Sequence, residues 1–425
     1  MKLLQILWHY LCVKQRKIKT RDELKVFQTK ALEKLWQKHL SHNPYFKSRC
    51  QGDFKDWPYM NKEIMLANFH WMNGAGITLA QAYDEAMSAE TSRDFKPTIE
   101  GYTIGLSSGT SGTRGVFLLS PSEEKQWAGT ILAKMLPGSL FKGERIAFFL
   151  RANSNLYETV QSRFISFKFF DLFQSMTTQL SALQEYQPTI LIAPAQVLEL
   201  IAEHQLDIHP IKVISVAEVL DDATRKKIER ALGKVHEVYQ ATEGFIASTC
   251  SHGHLHLNED LMIIEQEMID DMRFIPIVTD LNRRTQPIIR YRLDDVLVKH
   301  PKPCPCGSPF QRIQAIEGRL NDTLWLQNHQ GEKVTIFADS CLRALARSLP
   351  FDCDFRLCQS SLTSLTLTAP LSQAQLLVAQ SALEEMFRMQ NVDLTQLEWQ
   401  LIAEPIEQVL SDKRRKIQRL FTEEH

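Results

Sequence analysis

Apolar residues recur every three or four positions through "RDELKVFQTKALEKLWQKHLSH", residues 21–42, and this spacing predicts an amphipathic helix. A second helix is predicted over "TLAQAYDEAMSAETSRDF", and a glycine-rich stretch follows it. From about 121 to 235, helical spacing alternates with short apolar runs. The runs "RIAFFL", "PTILIAP" and "IKVISVAEV" read as strands, while "QVLELIAEHQ" and "DDATRKKIERALG" read as helices. Strands alternating with helices predict an α/β layered fold with a largely parallel sheet. After Gly244 the pattern turns β-rich, in "HLHLNEDLMIIEQE", "FIPIVTDL" and "PIIRYRLDDVLVKH". Past "EGRLNDTLWLQ" the tail reads as strand, helix ("ADSCLRALARSL"), two strands, helix ("SQAQLLVAQSALEEMFRMQ") and strand ("LEWQLIAEPI").

At 425 residues the chain exceeds the size at which one core keeps growing, so at least two domains are expected. The pattern assigns residues 1–318 to a large multi-layer α/β domain with mainly parallel sheets, its β-rich part spanning about 245–318. Residues 319–425 are expected to form a small α+β domain, joined by a short hinge near 318–322. Formal net charge is -1, so no global field attracts nucleic acid or anionic membrane, and a local basic patch stays open.

The start, "MKLLQILWHYLCVKQRKIK", has an apolar run from Leu3 to Val13 interrupted by Gln5, His9 and Tyr10. It lacks a small-residue cleavage site and is too short to span a bilayer, so it reads as an amphipathic helix docking on the body. No other run approaches spanning length, and a cytoplasmic protein is expected. Eight cysteines in such a chain are not a disulfide framework. Cys12, Cys50, Cys341, Cys353 and Cys358 sit among apolar neighbours and read as buried thiols.

The stretch "GLSSGTSGTRGVFLLS", from Gly105, is bracketed by two apolar runs. Ser107 satisfies G-x-S-x-G, yet a hydrolase elbow needs strand, sharp turn and helix, and here a second strand follows. The G-x-x-x-x-G-K-[ST] string of phosphate loops that open a helix is absent. The composition still suits polyphosphate. Glycines let backbone N–H groups approach phosphate oxygens, and Ser107, Ser108, Thr110, Ser111 and Thr113 add donors.

"SSGTSGTRG" resembles the phosphate-binding signature of adenylate-forming enzymes, which activate an acid with ATP, and further motifs of that family follow in order. The resemblance assigns Ser107, Ser108, Gly109, Thr110, Ser111, Gly112 and Thr113 to the phosphates. "VYQATEG" is similar to Y-G-x-T-E, which implies Tyr239 stacking on adenine, Thr242 on the α-phosphate and Glu243 on Mg2+. "ISVAEVL" stands at the adenine-side segment, with Ala217 and Glu218. "RYRLDD" resembles Y-R-T-G-D and makes Asp295 the ribose ligand; "GRLNDTL" resembles G-R-x-D-D and gives Arg319 to the ribose and Asn321 to the pivot. "KRRKIQRL" offers K-x-x-R, with Lys416 as the catalytic lysine and Lys413 as the other candidate; by pattern alone the run reads as an exposed terminal helix. Three positions depart from the family: Gln240 replaces a glycine, and Thr113-Arg114 replaces Pro-Lys.

"STCSHGHLHLNED" and "KPCPCGSPFQRIQAIEGR" resemble the branch of phenylacetate–CoA ligases and deazaflavin-adenylylating synthetases. Independently, C-x-C with a Cys/His-rich turn has the ligand types of a tetrahedral zinc site. Alternation puts His254 and His256 on one face of a strand; the resemblance selects His256, giving Cys250, His256, Cys304 and Cys306, with His252 as substitute.

The implied reaction joins a small carboxylic acid, aryl or medium-sized and apolar, to AMP with release of pyrophosphate. Transfer to coenzyme A or a carrier-protein thiol then follows. Adenylylation without a thiol step and non-catalytic nucleotide binding are the alternatives, and a homodimer stays open. The aromatic segment "FFLRANSNLYETVQSRFISFKFFDLF" reads equally as acyl-pocket wall or as sheet core.

Overall fold

The computed structural model describes every residue except 1, 93–96, 108–114, 140–141, 151–160, 173, 320–322, 337, 351–352, 407–414 and 422–425. The chain divides into two compact units. The first comprises Met1–Ala217, Ile228–Leu293 and Lys299–Gln314; the second comprises Glu218–Lys227, Asp294–Val298 and Ala315–His425. The second unit thus takes in two short segments from the middle of the chain besides the tail.

In the first unit, α1 (Lys2–Lys14), α2 (Arg21–Lys38), α3 (Pro44–Arg49), α4 (Lys62–Ala67), α5 (Phe69–Met72) and α6 (Leu79–Ser92) come first. They lead into an antiparallel sheet of β1 (Thr98–Ile99), β2 (Tyr102–Leu106) and β3 (Val116–Leu119). The glycine-rich stretch links β2 to β3, so it is a hairpin connection and not a strand-to-helix elbow. Next comes α7 (Pro121–Met135), whose start is fixed by a capping box between Ser120 and Glu123 and by Pro121 in its first turn.

The main sheet contains β4 (Glu144–Leu150), β5 (Ile165–Asp171), β6 (Ile190–Ala193), β7 (Lys212–Ser215), β8 (Val235–Ala241), β9 (Gly244–Thr249) and β10 (Leu255–Leu257). Their order is β10-β9-β8-β7-β6-β4-β5. Pairs from β5 through β8 are parallel, as the alternation predicts, while β8–β9 and β9–β10 are antiparallel. Helices α8 (Met176–Tyr186), α9 (Ala195–Glu203) and α10 (Asp222–Leu232) intervene. Strand β7 is buried at all four positions, the pattern of a sheet covered on both faces. Three phenylalanines of the aromatic segment serve this sheet: Phe148, Phe149 and Phe170 are buried, and Phe149 stacks on Phe170 at 4.5 Å, while Phe164 is exposed. Three further strands, β11 (Met262–Met268), β12 (Arg273–Asp280) and β13 (Tyr291–Arg292), pair antiparallel. The predicted run "HLHLNEDLMIIEQE" is therefore two strands. Asn258 breaks it: its side chain bonds Ser248 and the Phe245 carbonyl, and its own carbonyl accepts from Leu261 N at 2.8 Å.

Helix α1 docks on α7 through Ile6 and Tyr10, against Ala128, Leu132 and Ala133. The helices cross at Gly129, where a Cβ would lie 2.6 Å from the Ile6 carbonyl oxygen and 2.9 Å from Tyr10 N. Any other residue would push α1 away. Cys12 on this helix is exposed, contrary to the buried thiol expected; Cys50 and Cys341 are buried, and Cys353 and Cys358 are half-buried.

The second unit holds all but the last residue of β14 (Asp295–Lys299), all but the first two residues of β15 (Ile313–Arg319), and β16 (Leu324–Gln327) and β17 (Lys333–Ile336). They are followed by α11 (Ala338–Ser348), β18 (Arg356–Gln359), β19 (Ser364–Thr368), α12 (Gln373–Met389), β20 (Glu398–Ile402) and β21 (Ile417–Arg419). Four of them form a sheet in the order β20-β19-β18-β21 over a core that includes Leu357, Leu367, Leu383 and Phe387. Lys416 therefore precedes a strand that runs parallel to β18, and it is not on a terminal helix. Among the described residues no helix is long and apolar enough to cross a membrane.

Candidate functional site

The stem of the glycine-rich loop is closed by a pair of hydrogen bonds. Ser107 N donates to the Gly115 carbonyl at 2.7 Å, and Gly115 N donates to Ser107 Oγ at 2.8 Å. A Cβ on Gly115 would lie 3.5 Å from Ser107 Oγ and 3.6 Å from Thr242 Oγ1, so the stem meets the A-T-E turn. Gly105 is required for a different reason: the Phe117 ring occupies the place its side chain would take. Ser108, Gly109, Thr110, Ser111, Gly112 and Thr113 lie outside the described residues.

Thr242 and Glu243 are the two-residue link between β8 and β9, since Ala241 pairs with Gly244. Gly244 has φ of +154°, and a Cβ there would lie 2.8 Å from Met262 Cε and 3.0 Å from Asp280 Oδ2. Just before the link, the register shifts between Tyr239 and Gln240, so Gln240 sits at a β-bulge where the family has glycine. Tyr239 and Glu243 are both buried.

Behind this turn lies a polar network that the motifs did not reveal. Arg283, fully inside the protein, donates from Nη1 to the Thr242 carbonyl at 2.8 Å and from Nη2 to Gln286 Oε1 at 2.8 Å. Gln286 in turn accepts from Leu118 N at 2.9 Å and donates to the Val116 carbonyl at 3.0 Å. Two side chains thus tie β3, the far side of the loop, to the A-T-E turn. The Asp280 carboxylate beside them accepts from Asn282 N at 2.7 Å and Arg283 N at 3.2 Å. Burial nonetheless pushes its pKa up to about 6, because desolvation outweighs the Arg283 charge and these bonds. Glu123 goes the other way. Its burial alone would raise it, but hydrogen bonds from Ser120, Thr285 and the Arg284 and Thr285 amides outweigh that and hold it low.

The network floors a cavity of about 690 Å³ between α7 and the β8–β9 hairpin. Its apolar walls are Phe117, Leu119, Trp127, Phe245, Leu261 and Met262, and Thr242 and Gly244 border it. Apolar walls with a few polar groups at the border are the chemistry of a small-molecule site. Among the described residues, none of the walls comes from the aromatic segment singled out in the sequence.

The remaining predicted residues fall elsewhere. Ala217 is exposed and left-handed, at φ of +65°, an uncommon state for a residue with a Cβ. Within the second unit, Asp295 opens β14 and is half-buried, and Glu218 is half-buried. Arg319 ends β15, while Asn321 and Lys413 lie outside the described residues. Lys416 Nζ pairs with Asp221 Oδ2 at 3.0 Å. Burial would raise the Asp221 carboxyl, but the Lys416 charge and bonds from Thr224 hold it below its ordinary value.

At the other end of β9 stands a Cys/His cluster. The potential ligand atoms of Cys250, His256, Cys304 and Cys306 all lie within 4.8 Å of one another. Two turns present them. Gly253 N donates to the Cys250 carbonyl at 2.9 Å, Gly307 N donates to the Cys304 carbonyl at 3.1 Å, and both glycines have positive φ. Cys250 and Cys304 Sγ are 3.8 Å apart, and Cys306 Sγ is 3.6 Å from His256 Nε2. A tetrahedral zinc with Zn–S near 2.3 Å separates its sulfurs by about 3.8 Å, so the residues fit that ion. The His256 Nδ1 lies 3.0 Å from the Phe310 carbonyl, which orients the ring and leaves Nε2 toward the thiols. Burial holds this histidine below its ordinary pKa, hence neutral, and pushes the Cys306 thiol up to about 11. Zinc bound here would take these cysteines as thiolates. His254 stays outside the quartet, with Nδ1 3.1 Å from Cys304 Sγ, and His252 is exposed and stacked on His254.

No protein-family profile matches the sequence. A curated relative, protein CapK of Staphylococcus aureus, is 29% identical over 161 residues, and the match spans 36% of this chain and 36% of that protein's length. Among solved structures, a 2-hydroxyisobutyryl-CoA ligase in complex with 2-HIB-AMP in its postadenylation state superposes with a TM-score of 0.65 at 15% identity. That alignment covers 93% of this chain and 89% of the ligase. A GH3.15 acyl acid amido synthetase gives a TM-score of 0.58 at 14% identity, covering 90% and 86%. The chain has the fold of the adenylate-forming enzymes.

Proposed function

We propose that this protein joins a carboxylic acid to AMP, using ATP and releasing pyrophosphate. The observation that carries the reading is the meeting of the Ser107–Gly115 loop stem with Thr242 beside an apolar cavity. A phosphate held by the loop would lie next to the threonine, and the body of an acid would fill the cavity. The substrate carboxylate attacks the α-phosphorus, and the bond to pyrophosphate breaks; no protein nucleophile is needed. Catalysis then rests on positioning and on charge neutralisation. The loop donors hold the β- and γ-phosphates, Thr242 the α-phosphate, Tyr239 the adenine, Asp295 and Arg319 the ribose, and Lys416 the developing charge. Glu243 would hold Mg2+, which screens the phosphate charge when bound.

The acceptor that follows is coenzyme A or another thiol, in keeping with the phenylacetate–CoA ligase branch. Asn321 serves as the pivot for that second step. Cys250, His256, Cys304 and Cys306 hold one structural Zn2+, which cross-links two turns and takes no part in turnover. The test is to incubate the protein with ATP and a panel of acids, with and without coenzyme A, and to identify products by mass. An AMP adduct that is consumed when coenzyme A is added supports the full reading. An adduct that persists confines the activity to adenylylation, and no adduct with any acid refutes the proposal.

A further inference from the structure

Helix α1 is apolar on two opposite faces. One face, with Ile6 and Tyr10, is spent on α7. The other carries Leu4, Trp8 and Leu11, at the i, i+4, i+7 spacing of one stripe, flanked by Leu3. These four are 70%, 62%, 42% and 56% exposed respectively. Large apolar side chains clustered on one exposed helical face, unlike single ones scattered over a surface, mark an interaction site.

Charge selects the partner. Residues 1–21 contain Lys2, Lys14, Arg16, Lys17, Lys19 and Arg21 and no acid, in a chain whose net charge is -1. Two acids that the segment touches are already engaged, Asp260 by Arg16 and Lys134 at 3.0 and 2.8 Å and Glu259 by Arg21 at 2.6 Å, and Asp22 and Glu23 follow it at the start of α2. Lys14, Lys17 and Lys19 are exposed directly after the apolar stripe. A twofold pairing of this face with a second copy would set lysines against lysines, with no acid in the segment to meet them. A bilayer with anionic headgroups meets both demands, taking the leucines and tryptophan into its interface and the lysines onto its phosphates.

We propose that α1 is an interfacial anchor that holds the enzyme on an anionic lipid surface, independently of the nucleotide chemistry. The Gly129 crossing fixes the anchor rigidly to α7, one of the cavity walls, so membrane attachment would set the orientation of the substrate site as well.

Flotation of the full chain tests this, with vesicles of phosphatidylcholine alone and of equal parts phosphatidylcholine and phosphatidylglycerol. The wild type should float with the anionic vesicles, less so in high salt, and stay behind with the neutral ones. Leu4→Gln/Trp8→Gln should abolish flotation at an unchanged unfolding temperature, because both side chains point away from α7. Lys17→Glu and Lys19→Glu should each weaken binding roughly fivefold or more. A wild type that never floats, or a Leu4→Gln/Trp8→Gln variant that floats as well as wild type, overturns the proposal. So does a dimer in sedimentation that this variant dissolves, which would give the face to a second copy.

Discussion

Strand β9 ends in two turns that are held in opposite ways. At Thr242–Glu243 the protein supplies the partners itself: Arg283 holds the Thr242 carbonyl, and Gln286 ties Arg283 to both an amide and a carbonyl of β3. At Cys250 three thiols and an imidazole bring their ligand atoms within 4.8 Å of one another. The first end is braced by the protein's own hydrogen bonds and borders the cavity. The second has the ligand types and spacing that a tetrahedral zinc would take. One strand thus carries a hydrogen-bonded turn at one end and a candidate metal site at the other.

The largest way to sharpen this contrast is to dismantle the candidate metal site. Protein purified without added metal should contain about one zinc per chain, and Cys304→Ser should lower stability by on the order of 5 kcal/mol or more, read by chemical unfolding. Eight thiols that titrate freely in the native, metal-free protein would break the comparison.

The network at the other end should fail by a different route. Arg283→Met removes the donors to the Thr242 carbonyl and Gln286 Oε1 and the charge beside buried Asp280, and should cost about 3–5 kcal/mol, with no loss of zinc. A cost below about 1 kcal/mol would show that the strut is dispensable.

Thr242→Val keeps shape and fold, and should lower acid-dependent pyrophosphate exchange on the order of 10²-fold at an unchanged unfolding midpoint. Lys416→Ala should do the same while sparing thiolysis of a supplied acyl-adenylate. If Lys413→Ala behaves that way instead, the catalytic lysine lies one turn earlier in the sequence.

The smallest effect is a pH dependence. The folded pKa of Asp280, about 6, lies above its unfolded value of 3.8, so protonation favours the folded state. The stability this group contributes is present below pH 4 and lost as pH rises through 6. Asp280→Asn should flatten the stability profile in that window. The Glu123 carboxyl, held low, acts below it and with the opposite sign: its contribution is lost as pH falls.

These predictions also mark what the sequence could and could not disclose. The alternation of apolar runs made the parallel sheet readable, because strands buried on both faces stay apolar whatever packs on them. The loop, the A-T-E turn and the Cys/His cluster were legible because their chemistry needs particular residue types close together. Arg283 and Gln286 were not, since "TDLNRRTQ" looks like any polar turn until β3 is brought beside it. By pattern alone Lys416 could be one of many charges on a terminal helix, because its run is charged and short; only the resemblance marked it as the catalytic lysine. The strand it precedes is made by parallel pairing with β18, some sixty residues earlier, and local pattern carries no trace of that. The exposure of Cys12 was hidden for a related reason: α1 is apolar on both sides, and composition cannot tell which one docks.

The central claim is acid activation, and one measurement reaches it most directly: exchange of labelled pyrophosphate into ATP across a panel of carboxylic acids, with Thr242→Val in parallel. The account predicts exchange that requires both protein and a particular acid, and that falls on the order of 10²-fold in the variant. Folded protein that binds ATP yet exchanges no pyrophosphate with any acid would contradict it, and would leave a nucleotide-binding protein without this chemistry.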